Sequence, residues 1–271
     1  MTPDQLSRTV LHAVRRVLAD GALPAAGAEA VTAATERATV GTAPRRGHGD
    51  YALNIAFPLA KAVGRTPREV APVLRGELLR QPGIARVEIT GPGFLDVTLD
   101  AGARSALVGE LAAGAPEPEA DDPASDIASW SAATGDDPRS LAVRDTSSPL
   151  FRVQYAHARA RALLRGGDEL GVTPRSEGEA AYPYDHVRER ALLGLLADHR
   201  RQLAGSSRAH ARHLEAVGEA FFDFHDACPS LPRGDEKPGA VHRARLALAA
   251  AAGTVLAGGL SQLGVTAPAH L

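Results

Sequence analysis

Lysine is nearly missing from this 271-residue chain: Lys61 and Lys237 are the only two, and every other basic side chain except histidine is arginine. Cysteine, methionine and tryptophan occur once each. With Cys228 alone, no intramolecular disulfide can form, which excludes a disulfide-stapled fold and fits a reducing, cytoplasmic setting. Aromatic residues are 4% of the chain against 44% hydrophobic residues in all. The core must therefore be Ala, Leu and Val, which favours packed helices. No apolar run reads as long enough to span a bilayer, and the amphipathic N-terminal stretch MTPDQLSRTVLHAVRRVLAD lacks a signal-peptide core, so no membrane partner is expected. A net charge of −2 does not mark a nucleic-acid binder, but its distribution is uneven. Seven acids and no base lie between Ala115 and Pro138, leaving the rest of the chain at about +5.

The patterns that are present divide the chain in three. Residues 1–114 read as a small α+β domain. A helix runs from Thr2 to Ala19 with Pro3 in its first turn and Leu6, Val10, Val14, Val17 and Leu18 on one stripe. Ala34–Pro44 reads as a strand, and Asp50 as the cap of a helix reaching Lys61. Thr66–Glu69 is a capping box opening a helix to about Arg80. IARVEIT and FLDVTLD are two strands around the turn Gly91–Gly93, and Asp100 caps a further helix to about Ala113. Residues 115–147, rich in Pro, Ala, Ser and Asp, read as a disordered acidic linker, with Trp130 as a docking point on a neighbouring domain. Residues 148–271 read as an antiparallel bundle of four helices: Leu150–Arg165, Tyr184–Ala204, Ser207–Cys228 and Pro238–Leu263.

Several stretches resemble arginyl-tRNA synthetases. GHGDYALNIAFPLAK, TPREVAPVLRGELL and VEITGPGFLDVTL are similar, in this order, to the N-terminal domain of that family. SSPLFRVQYAHARARALLR, AFFDFHDACPSL and RARLALAAAAGTVLAGGLSQLGVTAPAHL are similar to its DALR anticodon-binding domain. The resemblance covers roughly 200 residues and implies a fold of a small sheet domain followed by a DALR-type bundle. It also implies a tRNA partner, with tRNA-Arg the first candidate and a full-length synthetase or a tRNA-dependent enzyme as a possible protein partner.

In the family an ATP-binding catalytic domain of several hundred residues separates these two ends. Here Asp100 to Thr146 is 47 residues, without a lysine or a histidine. One βαβ unit needs about 30 residues and a doubly wound nucleotide-binding domain needs several. The interval holds no His-x-Gly-His or Lys-Met-Ser-Lys-like segment, and a synthetase needs cations beside the triphosphate as adenylate forms. The expected protein is therefore a non-catalytic paralogue without catalytic residues or cofactor. The alternative is a protein-interaction or regulatory module that no longer binds tRNA.

By the resemblance, Asp50, Tyr51 and Asn54 face the tRNA elbow near the D-loop. Asn54 offers a donor and an acceptor to a splayed base edge, and Tyr51 or Phe94 a ring to stack on it. The structural alternatives are a helix cap for Asp50, a bond to the facing strand for Asn54 and a core position for Phe94. On the helix FRVQYAHARARALLR, Arg152 and Arg159 lie two turns apart on one face, with Arg161 and Arg165 an i,i+4 pair on another; both suit phosphates. Gln154, Tyr155 and His157 match the family pattern, and by the resemblance Gln154 and Tyr155 join the four arginines as expected RNA contacts. Where the family commonly reads Phe-Tyr-Asn-Asn-Cys, this chain has Phe224, His225, Asp226, Ala227 and Cys228, which weakens the case for anticodon reading. Leu271 stands where the family ends in Met. His210 and His213 have helical spacing for two metal ligands, with His225 and Asp226 as conceivable partners, but no matching motif supports a metal site. GHG lacks the third glycine of a dinucleotide fingerprint. The expected outcome for the purified protein is arginine-dependent ATP–pyrophosphate exchange no higher than that of a heat-killed control, with or without tRNA.

Overall fold

Thr2 opens the first helix as the sequence predicts. In the computed structural model, which describes residues 1–42, 49–114, 122–176 and 181–271, the Gln5 amide donates to Thr2 Oγ1 (3.3 Å) and the Thr2 amide to Gln5 Oε1 (2.8 Å). This capping box starts α1 (Pro3–Ala19), whose stripe Leu6, Val10, Val14 and Val17 is buried. The expected strand over residues 34–44 is broken: residues 34–36 end α2 (Ala28–Glu36), which buries Val31 and Ala34, and of the described part only Val40–Thr42 is a strand, β1, with residues 43 and 44 outside the described residues. Asp50 caps no helix. It precedes β2 (Tyr51–Leu53), whose alternating burial fits a half-buried strand. Then follow α3 (Ala56–Val63), ended by Gly64 at φ +67°, and α4 (Pro67–Leu78), opened by the Thr66–Glu69 box.

β3 (Ile84–Thr90) and β4 (Phe94–Leu99) form the expected hairpin. The sheet is antiparallel throughout, in the order β1-β2-β4-β3. Gly93 at the turn has φ +152°, and a Cβ there would lie 2.8 Å from the Pro67 side chain, so only glycine fits. Leu6, Leu53, Ile55, Leu59, Leu74, Leu78, Leu95 and Leu99 make the fully buried core of this unit.

The chain divides into two units, residues 1–104 and 105–271. The division falls inside α5 (Ala101–Ala112), whose Ala103 amide donates to Asp100 Oδ1 at 2.7 Å. In the second unit the expected linker is largely ordered. Residues 115–121 lie outside the described residues, but Pro123–Thr134 is a helix, α6, and Pro138–Leu141 a short one, α7. Trp130 is fully buried in this same unit, with Nε1 donating to Asp136 Oδ2 at 3.1 Å, and α6 packs on the third bundle helix. One large ring and several satisfied polar groups supply what the composition of the segment seemed to lack.

The bundle consists of α8 (Pro149–Glu169), α9 (Val187–Leu203), α10 (Ser207–Ala227) and α11 (Ala240–Gln262). Small residues set its spacing. A Cβ on Gly218 of α10 would sit 3.4 Å from the Ala156 methyl of α8, and one on Gly253 of α11 3.5 Å from Ala160. Between α9 and α11, Glu189 is wholly buried and accepts from Arg245 Nε (2.8 Å) and the Tyr182 hydroxyl (3.0 Å). The expectation that nothing in the chain could span a bilayer needs correcting, because α11 passes by length and composition. Its most apolar window is 72% buried inside the unit, as the central helix of a bundle would be. Truncating Trp130 to Ala should lower the stability of this unit by about 3–5 kcal/mol, the range for removing a fully buried aromatic ring, read as a shift of the chemical denaturation midpoint.

Candidate nucleic-acid interface

In the N-terminal unit the structure separates the proposed residues by what already holds them. Asp50 accepts from the Leu99 amide at 2.7 Å and from Arg104 Nε and Nη2 at 3.2 and 3.1 Å. Its side chain is 15% exposed and that of Arg104 5%. A buried carboxylate so fully engaged holds the end of β4 to α5 and is not open to RNA. Tyr51 is 2% exposed, with its hydroxyl donating to the Met1 carbonyl at 2.8 Å, so its ring cannot stack on a base. Asn54 is half-buried, and Oδ1 accepts from the Thr39 amide at 2.7 Å, joining the residue before β1 to the residue after β2. Its acceptor is spent; its NH2 has no hydrogen-bond partner among the described residues. Phe94 is not core. It is 43% exposed at the hairpin end, against Phe57 at 4.8 Å between ring centroids.

In the helical unit, α8 divides along its length into two jobs. One side holds the C-terminal segment. Gln154, 9% exposed, donates from Nε2 to Asp126 Oδ2 (2.8 Å) and to the Thr266 carbonyl (3.1 Å). His157 Nδ1 lies 3.0 Å from the Pro268 carbonyl, which can only accept, so the ring carries its proton there. Burial, foremost, lowers the pKa of this histidine. Arg165 donates to the Ala269 carbonyl at 3.3 Å, while Arg161 is half-buried beside them. Gln154 and Arg165 are thus committed to the fold.

The other side of α8 meets α10. Phe151, Tyr155 and Phe222 form a ladder of half-buried rings, 5.5 Å apart at each step and inclined by 12° and 29°. At its end Arg159 Nη2 lies 3.1 Å from His225 Nε2. Arginine can only donate, so Nε2 is the acceptor and the imidazole is neutral. Its pKa is lowered by burial first and then by the Arg159 charge. Arg152 donates to the Thr146 carbonyl and to Glu215, both at 3.0 Å. Of the expected residues, the structure brings Tyr155 and Arg159 into one face. It adds Phe151, Phe222 and His225, which the sequence reading left out of the site. The i,i+4 spacing of Phe151 and Tyr155 was the available signal; Phe222 comes from a distant helix.

The comparisons with known proteins agree with this division. Residues 5–99 match the family described as Arginyl tRNA synthetase N terminal domain, and residues 153–271 that described as DALR anticodon binding domain. An arginine–tRNA ligase of Frankia alni is 44% identical over 138 residues, 48% of this chain and 25% of the relative. One of Pseudarthrobacter chlorophenolicus is 37% identical over 143 residues, 50% and 26% of the two. The solved arginyl-tRNA synthetase of Thermus thermophilus aligns at 22% identity with a TM-score of 0.41, over 63% of this chain and 31% of that one. The chain carries the N-terminal and DALR anticodon-binding domains found in arginyl-tRNA synthetases, and spans about a quarter of the length of the curated relatives it matches.

His210 and His213 do meet a third histidine, His199 of α9. Its ring lies 5.5 Å from that of His210 and 5.7 Å from that of His213, and all three are buried. His199 Nδ1, His210 Nε2 and His213 Nε2 have no hydrogen-bond partner among the described residues. Among the described residues no group of three or more His, Cys, Asp or Glu could hold a metal ion. The cluster is instead a neutral, acid-labile piece of core. Burial lowers the pKa of all three, and that of His199 is pushed down to about 4, with the neighbouring His213 and His210 as lesser causes. The unfolded chain takes up a proton at the usual value of 6.5 and the folded chain does not. Stability should therefore fall as pH drops from about 6.5 to about 4, by on the order of 3 kcal/mol from His199 alone. Denaturation midpoints across this window should show the fall, and His199→Leu should flatten it.

Proposed function

We propose that the chain binds tRNA through its two synthetase-derived domains and does not charge it. The observation that carries this reading is the ring ladder of Phe151, Tyr155 and Phe222 with Arg159 and His225 at its end. Unstacked bases of an RNA loop bind by stacking on such rings, and guanidinium groups beside them meet base edges or phosphates. In the N-terminal domain, the unused NH2 of Asn54 and the exposed ring of Phe94 are the groups that suit an RNA contact. Asp50, Tyr51 and Gln154 drop out of the binding set.

The absence of charging rests on the interval between the two matched regions, residues 100–152. Its described residues form helices α5, α6, α7 and the start of α8, with no strand, whereas a nucleotide-binding domain of the doubly wound kind needs a parallel sheet. A second reading, a protein-interaction module, is favoured by one observation. Asp226 is exposed next to His225, where an RNA backbone would be repelled, while the neighbouring Asp223 is paired with Arg188 at 2.6 Å.

The test is fluorescence anisotropy with bulk deacylated tRNA. The full chain should bind at low salt. The pair Tyr155→Ala and Phe222→Ala should weaken binding by roughly 1–3 kcal/mol for each base that loses its stacking partner, whereas Tyr155→Phe should retain it. A full chain that binds no tRNA even at low salt moves the function to protein interaction.

A further inference from the structure

The arginines of α8 are largely spoken for by Glu215, His225 and main-chain carbonyls. A denser cluster of positive charge in the helical unit lies elsewhere, at the corner where α9 turns into α10. Residues 200–212 read RRQLAGSSRAHAR, with four arginines and no acid. The turn between the helices is short, Ala204 to Ser206. The contacts of the His199 ring with those of His210 and His213 set the two helices side by side there.

All four arginines are exposed. Arg201 is paired with the buried Asp198 at 2.7 Å. Arg200, Arg208 and Arg212 have no acidic partner among the described residues. Asp136 and Asp137, next to the Gly135 that Arg208 approaches, are occupied. Asp136 accepts from the Trp130 ring, and Asp137 caps α7.

The charge order along α10 makes this corner more than a solvated face. One stripe of the helix, at spacings of three and four, reads Arg208, Arg212, Glu215, Glu219, Asp223, Asp226. Cations sit toward the N-terminus and anions toward the C-terminus, the reverse of what the helix dipole favours, and its first turn has no acid. A cation in the first turn, as Arg208 is, opposes the helix dipole, while Glu215 and Asp223 further along are paired with Arg152 and Arg188. Three exposed arginines on one corner with no acidic partner among the described residues fit an anionic partner.

We propose that Arg200, Arg208 and Arg212 form the phosphate-binding surface of the helical unit, and that the backbone of the bound RNA docks on the α9–α10 corner. This rests on the reading that the chain binds tRNA. It assigns positioning to the corner and base contacts to the ring ladder, a division general to nucleic-acid interfaces. By helical rise, Arg212 and His225 are about 20 Å apart along α10, a distance a few nucleotides can bridge.

The experiment compares the full chain with the triple variant Arg200→Gln, Arg208→Gln, Arg212→Gln, by anisotropy with bulk deacylated tRNA over a salt series. Folding of each variant is checked by circular dichroism. The triple variant should flatten the slope of log affinity against log salt by about two to three units and weaken low-salt binding at least about tenfold. The triple Arg→Lys variant should keep the slope. Lys237→Gln, removing an exposed charge from the α10–α11 connection, should change it by less than about one unit. If the folded triple variant keeps the wild-type slope, if the lysine variant loses it, or if the control variant flattens it equally, the corner is not the phosphate surface while tRNA binding stands. If the wild-type chain binds poly-L-glutamate but not tRNA, and the triple variant binds neither, the corner takes an acidic protein and the RNA assignment falls.

Discussion

A buried carboxylate with no cationic partner among the described residues holds the helical unit together. Asp126 is 3% exposed, and its two oxygens accept from Gln154 Nε2 at 2.8 Å and from the Thr266 amide and hydroxyl, each at 2.7 Å. Three donors at these lengths compensate an anion that would otherwise be costly to desolvate. The carboxylate and its donors come from α6, from α8 and from the segment after α11, so a single node ties pieces that are far apart in sequence. The C-terminal segment then continues along α8 through His157 and Arg165. Losing the donors would leave the buried carboxylate unsatisfied, which is why such a node couples elements tightly.

Asp50 plays the corresponding part in the N-terminal unit. It joins the Leu99 amide at the end of β4 to the Arg104 guanidinium of α5. Both acids sit in segments where polar residues invite a functional reading, and in both the tertiary structure spends them on stability. What remains open to a partner is therefore narrower than the resemblance implies. It comprises the ring ladder between α8 and α10, the NH2 of Asn54 and the ring of Phe94, with the exposed arginines of the α9–α10 corner outside the stretches that carry the resemblance.

The packing of the bundle follows from the same scarcity that marks the composition. With few aromatic rings, α8, α10 and α11 approach through Ala156, Ala160, Gly218 and Gly253, and the buried face of α11 is mostly alanine and leucine. Close helices leave little room for large side chains. Of the rings in this unit, Trp130, Tyr184, Phe221 and Phe224 are fully buried, Tyr182 stands edge-on to Tyr184, and Phe151, Tyr155 and Phe222 gather at the α8–α10 seam.

The sequence by itself determined the elements whose signals are local. The Thr2 and Thr66 capping boxes, the glycine turn between β3 and β4 and the amphipathic stripes of α1 and the bundle helices depend on residues within one or two turns of each other, and each is where the pattern places it. The tertiary structure alone decided what depends on distant partners. It made α6 ordered, because Trp130 and Asp126 find burial and donors that a reading of composition cannot see. It made β2 a strand, because Asp50 is drawn to Leu99 and Arg104 rather than to the first turn of a helix. It also chose among the arginines: Arg152, Arg159 and Arg165 share a helix with the family's recognisable motif, yet their partners lie 63, 66 and 104 residues away along the chain. Charge is legible in a sequence, but whether a charge is free to act depends on what the fold sets beside it.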